Sequence, residues 1–574
     1  MNELVKNEKL IKLIKKEFNV DVIVKTDDYK TVIEGKVKDY DTVYAIGKFL
    51  HKKKVEHIVN HLEFEGQEKK EIHQFHFEDK ALDGEHVDVL VIGGGVVGCA
   101  TLRELSKYNL NVLLVEKEED VAMAQSSHND GCIHIGFDLK KKSNKLKYLL
   151  KAREMLPNLL DELGVDYTLN GQSVAFKSNF FRFAYPFLKM KAKSNQVPGG
   201  IKFMNRKKLH EVEPNISDEI KCGILFPGGG SFSPYLFTIA LAEVALQNNA
   251  RISLKTIVKS MDVDGDKIKA VHTNRGTIYP KVVINTAGVY SDEIARMAND
   301  ETFTIHPRKG NDILFDYNAT KDLSKTAITI FDLKGSLKKH SKGGGVIPTI
   351  DGNILVGPDA IEVSDKEDYS VDRSSVDSIL TKHKSTMPKL NKGSVIAYFA
   401  GTRAATYEED FEVRKGIYTK NIVEGVGIQS PGITAAPAIA LDLCKFAIEL
   451  LGVDVNKKDN FKAKRNKPIE VRKLSFDERD KIIKSNPKYG HIICRCEEIS
   501  EGEILDAINS PLHPTTPDAI KRRVRAGMGR CQGGFCQMHI VKMITEQNNI
   551  SMNEVNKKGE GKIILKDLKE KNHE

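Results

Sequence analysis

The chain has 574 residues, too many for one hydrophobic core, so it divides into several domains. With 40% hydrophobic and 29% charged residues it has an ordinary globular composition, and no apolar run reaches the roughly 20 residues of a membrane-spanning helix. The net charge of +9 comes from lysines spread along the whole chain, which argues against a nucleic-acid-binding stripe.

Residues 1–66 read as a small α/β unit: a helix to Phe18, strands near Val20–Val24 and Thr31–Val37, a helix from Asp41 to about Lys53, and a strand through HIVNHLEFE. The rhythm of IEGKVKDYDTVYAIGKFLHKKKVEHIVNHLEFE resembles BON-type accessory domains. Glu3, Glu8 and Glu17 argue against a transit peptide, and the segment has no secretory apolar core. A cytoplasmic location is expected, with peripheral contact at the inner face of the membrane as the second option. Residues 67–85, rich in Glu, Lys and His, read as a solvated linker.

A main domain follows, residues 86–455. In HVDVLVIGGGVVGCATLRELSKYNLNVLLVEKEED, Val87–Ile92 reads as a buried strand, Cys99–Lys107 as a helix and Val112–Val115 as the next strand. Gly93, Gly95 and Gly98 form G-x-G-x-x-G between strand and helix. The first permits the tight turn, the second lets a pyrophosphate approach, and the third lets helix and strand pack closely. Glu116 ends the next strand, where an acid accepts from ribose hydroxyls. This is a Rossmann-like dinucleotide unit.

The next motif, AQSSHNDGCIHIGFD (Ala124 to Asp138), starts too soon for another ordinary crossover. His128, Cys132 and His134 alternate along an extended segment with no fourth ligand, which disfavours a metal site, and Cys132 has no recognisable activating partner. Further motifs are VVINTAGVYSDEIA (Val282 to Ala295), GVIPTIDGNILVGPDA (Gly345 to Ala360), GTRAATYEEDF (Gly401 to Phe411) and GIQSPGITAAPAIA (Gly427 to Ala440). In this order the chain resembles FAD-dependent dehydrogenases and oxidases of the glycerol-3-phosphate and D-amino-acid oxidase superfamily.

That resemblance implies FAD, with a mixed-sheet substrate domain interleaved with the FAD-binding one. It places Ser126, Ser127, Asn129, Gly131, Ala287, Gly288 and Gly432 along the cofactor, His134 as the base for a carbinol proton, and Arg403 and Ser430 on a substrate anion. Lys342 is a second cationic contact. The leading substrate is glycerol 3-phosphate, because the C-terminal arrangement is most similar to the anaerobic type of its dehydrogenase. The HN.G.IH.G pattern also occurs in L-2-hydroxyglutarate oxidoreductases, so a 2-hydroxyacid is the first alternative. Amine or amino-acid oxidation is the next, and a non-enzymatic redox relay needs neither His134 nor Arg403.

After a lysine-rich linker, residues 456–488, the segment 489–548 carries Cys494-x-Cys496 and Cys531-x4-Cys536. Four thiolates suit a 2Fe–2S cluster, two to each iron, and glycines 527, 529, 533 and 534 permit tight loops with N–H groups aimed at sulfur. Four-cysteine zinc is the alternative. The segment resembles BFD-like ferredoxin domains of small helical fold. A cluster beside FAD implies electron delivery to a partner, an electron-accepting flavoprotein or a quinone-linked protein. Residues 549–574 read as a charged tail, mobile from Asn556 onward.

Overall fold

The computed structural model describes residues 3–67, 77–330, 344–453 and 455–564. The N-terminal unit follows the expected order: helix α1 (Glu3–Phe18), strands β1 (Val22–Thr26) and β2 (Thr31–Val37), helix α2 (Tyr40–Lys52) and strand β3 (Ile58–Phe64). β2 pairs antiparallel with β1 and parallel with β3. Alternate residues Val22, Val24, Ile33 and Val37 point inward and meet Ile14, Ile46 and Leu50 of the helices.

This unit is docked on the main domain. Tyr407 sits in its core, and Gly47 of α2 lies so close that a β-carbon there would stand 2.2 Å from the tyrosine ring. Asn60 donates to the Tyr407 hydroxyl at 2.9 Å, and His61 pairs with Glu301. Gly47→Leu should therefore overpack the junction and cost about 1–3 kcal/mol. The readout is a lower Tm at unchanged FAD content; an unchanged Tm would remove Gly47 from the docking contact.

The main domain opens with β4 (Glu85–Ile92), α3 (Val96–Leu105) and β5 (Val112–Val115). Arg251–Ser253, β5, β4, Gly276–Asn285 and Ile422–Val426 lie side by side, every neighbouring pair parallel. Such strands are buried on both faces, so β4 reads as a continuous apolar run. Four helices, α3, Asn144–Leu163, Pro234–Leu246 and Gly432–Leu451, share one core with this sheet. A second, mixed sheet of nine strands forms the substrate side, and its longest pair sets His306–Phe315 antiparallel to Val395–Ala405.

The described parts of three segments expected to be loose are in fact packed. Residues 77–84 lie along the turn at Asn274–Thr277, with Leu82 buried and Asp79 paired to Arg275. The lysine-rich connection straps the helices of the parallel sheet: Lys458 N–H donates to Lys107 O, Arg465 pairs with buried Glu243, and Phe476–Ser485 is a helix. In the tail, Gly559 N–H donates to Glu119 and Asn556 bridges to Lys562. These charge-rich segments are ordered because acids and carbonyls of the main domain receive them.

The C-terminal domain sets a short hairpin, Ile492–Cys494 with Ile499–Ser500, against helices Glu501–Ile508, Pro517–Val524 and Gln537–Asn548. Its core is Ile504, Ile520, Ile540 and Ile544. Among the described residues no helix is long and apolar enough to cross a membrane.

Candidate functional site

A cavity of about 990 Å³ runs from the glycine turn after β4 to the long strand pair of the second sheet. At the turn, Gly93 has φ +105° and its missing β-carbon would strike Thr286 O, while a β-carbon on Gly98 would lie 1.9 Å from Gly93 O. These are the turn and the helix–strand contact that the spacing anticipates. Gly95 caps α3 and lines the cavity, as do Glu116, Ala287, Gly288 and Gly432. At Gly288, with φ +59°, a β-carbon would meet nothing within 4 Å, which leaves open room for a ligand. Glu116 accepts from the N–H groups of Gly94 and Glu118, and burial pushes its carboxyl pKa up. A carboxylate has about four acceptor positions, so two remain for ribose hydroxyls.

The loop from Ala124 to Asp138 is held in place mostly by its own side chains. Ser126 Oγ accepts from Val96 N–H at 2.9 Å, satisfying one of the orphan donors at the start of α3. Asn129 donates to the carbonyls of Gln125 and Ser126 and accepts from Gly131 N–H. Gln125 ties the loop to Ile428 O and Ala404 N–H. Ser126 and Asn129 line the cavity, but Ser127 turns to His128 and Ala124 O instead. Gly131 is also placed differently from the expectation: it has φ +64°, and a β-carbon would lie 2.4 Å from Phe232 O, so glycine is required there by the neighbouring strand and not by a cofactor.

The two histidines of this loop are in opposite tautomeric settings. His128 Nδ1 lies 2.9 Å from Ala124 O and so carries the proton; burial holds the ring pKa at about 4, leaving it neutral at neutral pH. His134 Nδ1 instead accepts from Gly136 N–H at 3.2 Å, which puts the neutral ring's proton on Nε2. The Thr434 hydroxyl accepts from His134 N–H and donates to Cys132 O, fixing this strand to the first turn of the helix Gly432–Leu451. Both histidines line the cavity, as does Ser430.

Arg403 lies near the C-terminal end of Val395–Ala405, directly opposite Arg308 in the register. Gly310, two residues beyond Arg308, leaves room for its guanidinium: a β-carbon there would be 2.3 Å from Arg403 Nη2. Gly401 leaves similar room for His128. Arg403 is half-buried, and among the described residues its hydrogen bonds are two long ones, 3.3 and 3.4 Å, to Asp359 O. Burial lowers its pKa while Asp312 opposes that. The Arg403 guanidinium lines the cavity with no hydrogen-bonded carboxylate among the described residues.

Period-two alternation puts Arg308, Gly310 and Asp312 on one face, and the sequence reading missed both charged residues. Arg308 is engaged by Glu362, Glu409 and Gln429. Burial pushes the Glu409 carboxyl pKa up, but Arg308 and Gln429 outweigh it and hold the group at about 2. Asp312 is fully buried in the cavity wall, its Oδ1 has no hydrogen-bond partner among the described residues, and burial pushes its pKa well up. The signal was present in HPRKGND, where charge and glycine alternate at Arg308, Gly310 and Asp312 ahead of the apolar end ILF of the strand. Lys145, also overlooked, lines the same cavity with its pKa lowered by burial. Lys342 lies outside the described residues.

In the C-terminal domain the four cysteines form two neighbouring pairs, Cys494 with Cys536 and Cys496 with Cys531. Among the described residues, no three metal-binding side chains gather at one point, so the sulfurs are arranged as pairs. Backbone N–H groups of Gly527 and Glu497 face Cys494, and those of Gly533 and Phe535 face Cys531. Gly529 has no room for a side chain, because a β-carbon would be 2.3 Å from Cys496 Cβ. The domain is docked by Arg522 and Arg523 on buried Asp120, and by Arg525 on Asp351 and Asn353, with Glu497 of its own domain holding the same guanidinium. Asp351 and Asn353 belong to the turn after Gly345–Pro348, a strand whose Gly345 and Ile347 line the cavity.

A family model for FAD dependent oxidoreductases, DAO, matches residues 88–445, and one for the BFD-like [2Fe-2S] binding domain matches residues 492–546. The chain is similar to a glycerol 3-phosphate dehydrogenase of Caloramator mitchellensis, 38% identical over 482 residues, which cover 83% of this chain and 98% of that protein. It is 32% identical to a glycerol 3-phosphate oxidase of Mycoplasma pneumoniae over 66% of this chain and 98% of that one. A subunit of the anaerobic glycerol-3-phosphate dehydrogenase of Escherichia coli K12 is 20% identical, over 82% of this chain and 90% of its own. Among solved structures, the dithionite-reduced, FAD-bound L-alpha-glycerophosphate oxidase of Mycoplasma pneumoniae matches with TM-score 0.62 and 31% identity, covering 67% of this chain and 100% of that chain.

Proposed function

The chain belongs to the FAD dependent oxidoreductase family and carries a BFD-like [2Fe-2S] binding domain, and from this premise we propose that it oxidises glycerol 3-phosphate to dihydroxyacetone phosphate and passes the electrons through the cluster to a partner. The observation that carries this reading is Arg403, a half-buried cation with no hydrogen-bonded carboxylate among the described residues, in one cavity with His134 and the nucleotide-binding turn.

Gly93, Gly95, Glu116, Ser126, Asn129, Ala287, Gly288 and Gly432 would hold FAD, which supplies the acceptor for the hydride on the carbinol carbon. Arg403 grips the phosphate with its guanidinium fork, and the Ser430 hydroxyl adds a neutral donor. His134 takes the hydroxyl proton as the carbinol C–H bond breaks, so a C=O forms and one proton and one hydride leave. To accept at Nε2, the ring must first carry its own proton on Nδ1, which releases the long Gly136 contact. That contact is worth on the order of 1 kcal/mol. A positioned base contributes about 10²–10⁴-fold, or roughly 3–5 kcal/mol, so the change of tautomer does not cancel the gain.

His128 bears on the 2-hydroxyacid alternative. Held neutral against Ala124 O, it supplies no charge for a second carboxylate. Anaerobic addition of glycerol 3-phosphate should bleach the flavin, with L-2-hydroxyglutarate and amino acids leaving it yellow. The reverse pattern would replace the substrate.

Cys494, Cys496, Cys531 and Cys536 would hold the cluster, a one-electron acceptor, two thiolates to each iron. In Cys531→Ser, substrate should still bleach the flavin while the cluster absorbance and its reduction are lost. Loss of flavin bleaching in a variant with normal FAD content would instead place the cluster before the flavin. The anaerobic relative of Escherichia coli is one subunit of its dehydrogenase, which supports a separate protein as the recipient of the electrons here.

A further inference from the structure

The helix Phe181–Ser194 has two apolar faces, and only one of them is used. Phe181, Tyr185, Leu188 and Ala192 recur at three- and four-residue steps and pack into the substrate domain. Phe181, Ala184, Leu188 and Lys191 also wall the cavity described above. Phe180, Phe183, Phe187 and Met190 recur with the same steps on the other side and face solvent, 71%, 68%, 72% and 70% exposed. Four large apolar side chains in one exposed row, about 15 Å long at 1.5 Å per residue, are not left in water on a free surface without a partner.

The charge beside this row identifies the occupant. No Asp or Glu occurs between Asp166 and Glu211, whereas nine Lys and Arg do; Lys177 and Arg206 pair with Glu219 and Asp218 just beyond this stretch. On the helix itself Arg182, Lys189, Lys191 and Lys193 are exposed, and Arg182 lies over the Phe183 ring at 5.8 Å. Phenylalanine and methionine on one side, with lysine and arginine beside them and no acid, is the composition of a helix that lies in the plane of an anionic lipid surface. A second copy of the chain is a poor occupant, because a two-fold contact would set this basic face against itself.

The geometry points to Phe181–Ser194 as an interfacial helix that docks the enzyme on an anionic membrane by inserting Phe180, Phe183, Phe187 and Met190, placing the outer wall of the substrate cavity against the lipid. The test is co-sedimentation of the FAD-loaded full chain with vesicles of phosphatidylglycerol and phosphatidylcholine, and with phosphatidylcholine alone. Wild type should bind the anionic vesicles at least tenfold more tightly than the neutral ones. A Phe183→Asp, Phe187→Asp variant should lose that binding by tenfold or more with unchanged flavin content and turnover in solution, and Lys189→Glu with Lys193→Glu should weaken binding to anionic vesicles alone. Absence of wild-type binding, or equal binding by the phenylalanine variant, would overturn the assignment. So would wild-type self-association, or binding to a protein partner, that the phenylalanine variant abolishes while vesicle binding is absent.

Discussion

Arg403→Ala should lower kcat/KM for glycerol 3-phosphate by about 10²–10⁴-fold while the protein keeps its FAD. The magnitude rests on two charge-assisted hydrogen bonds to one anion, each worth about 1.5–3 kcal/mol, with 1.4 kcal/mol per tenfold. Arg403→Lys should recover only part of the loss, because a point charge cannot reproduce the fork. The loss should fall on both KM and kcat, since the anchor also sets the distance of the carbinol carbon from its acceptor. An Arg403→Ala enzyme within threefold of wild type would return this arginine to a structural role.

Asp120→Ala should uncouple the cluster from the flavin. Asp120 is buried and accepts from Arg522 at 2.8 Å and from Arg523 at 2.7 and 3.0 Å; its removal leaves buried Arg523 without a carboxylate and Arg522 with Asp518 alone. Breaking one partner of such a site costs about 3–5 kcal/mol, more than a domain contact of this size easily replaces. Flavin bleaching by substrate should survive, and cluster reduction should slow by tenfold or more. Burial pushes the Asp120 pKa up, but Arg523 and Arg522 outweigh it and hold the pKa below its ordinary value. The stabilisation is therefore present above about pH 4, the unfolded value, and is lost as pH falls through the depressed folded value. Domain separation on acidification, followed by loss of electron transfer at constant flavin binding, is the expected course. A variant with wild-type cluster reduction would locate the docking elsewhere.

Asp120 also marks a limit of the sequence. It follows Glu116 in a run of acids, and nothing in VEKEED distinguishes the residue whose partners lie some four hundred positions later. The glycine turn was legible because its determinants are local: strand, turn, helix and acid lie within one short segment, and the structure assigns Gly93 and Gly98 the steric roles their spacing implies. Gly131 looked the same in one dimension, yet its cause is the carbonyl of Phe232, a non-local contact. Arg308 and Asp312 were readable in principle, since a buried strand does not normally alternate charge with glycine. The fold of residues 1–66 was visible in its hydrophobic period, whereas its seat on Tyr407 was not, because Gly47 looks like any helix glycine until the ring against it is known. The exposed phenylalanines at 180, 183 and 187 went unread for the converse reason: apolar spacing reveals that a residue is on a face, not which face is covered.

The most direct measurement is anaerobic single-turnover flavin bleaching by glycerol 3-phosphate and by its C2-deuterated form, in wild type and His134→Gln. The account predicts a primary isotope effect in wild type, and a glutamine variant that binds substrate but bleaches about 10²–10⁴-fold more slowly. Bleaching by His134→Gln at the wild-type rate, or no bleaching of wild type by this substrate, would contradict it.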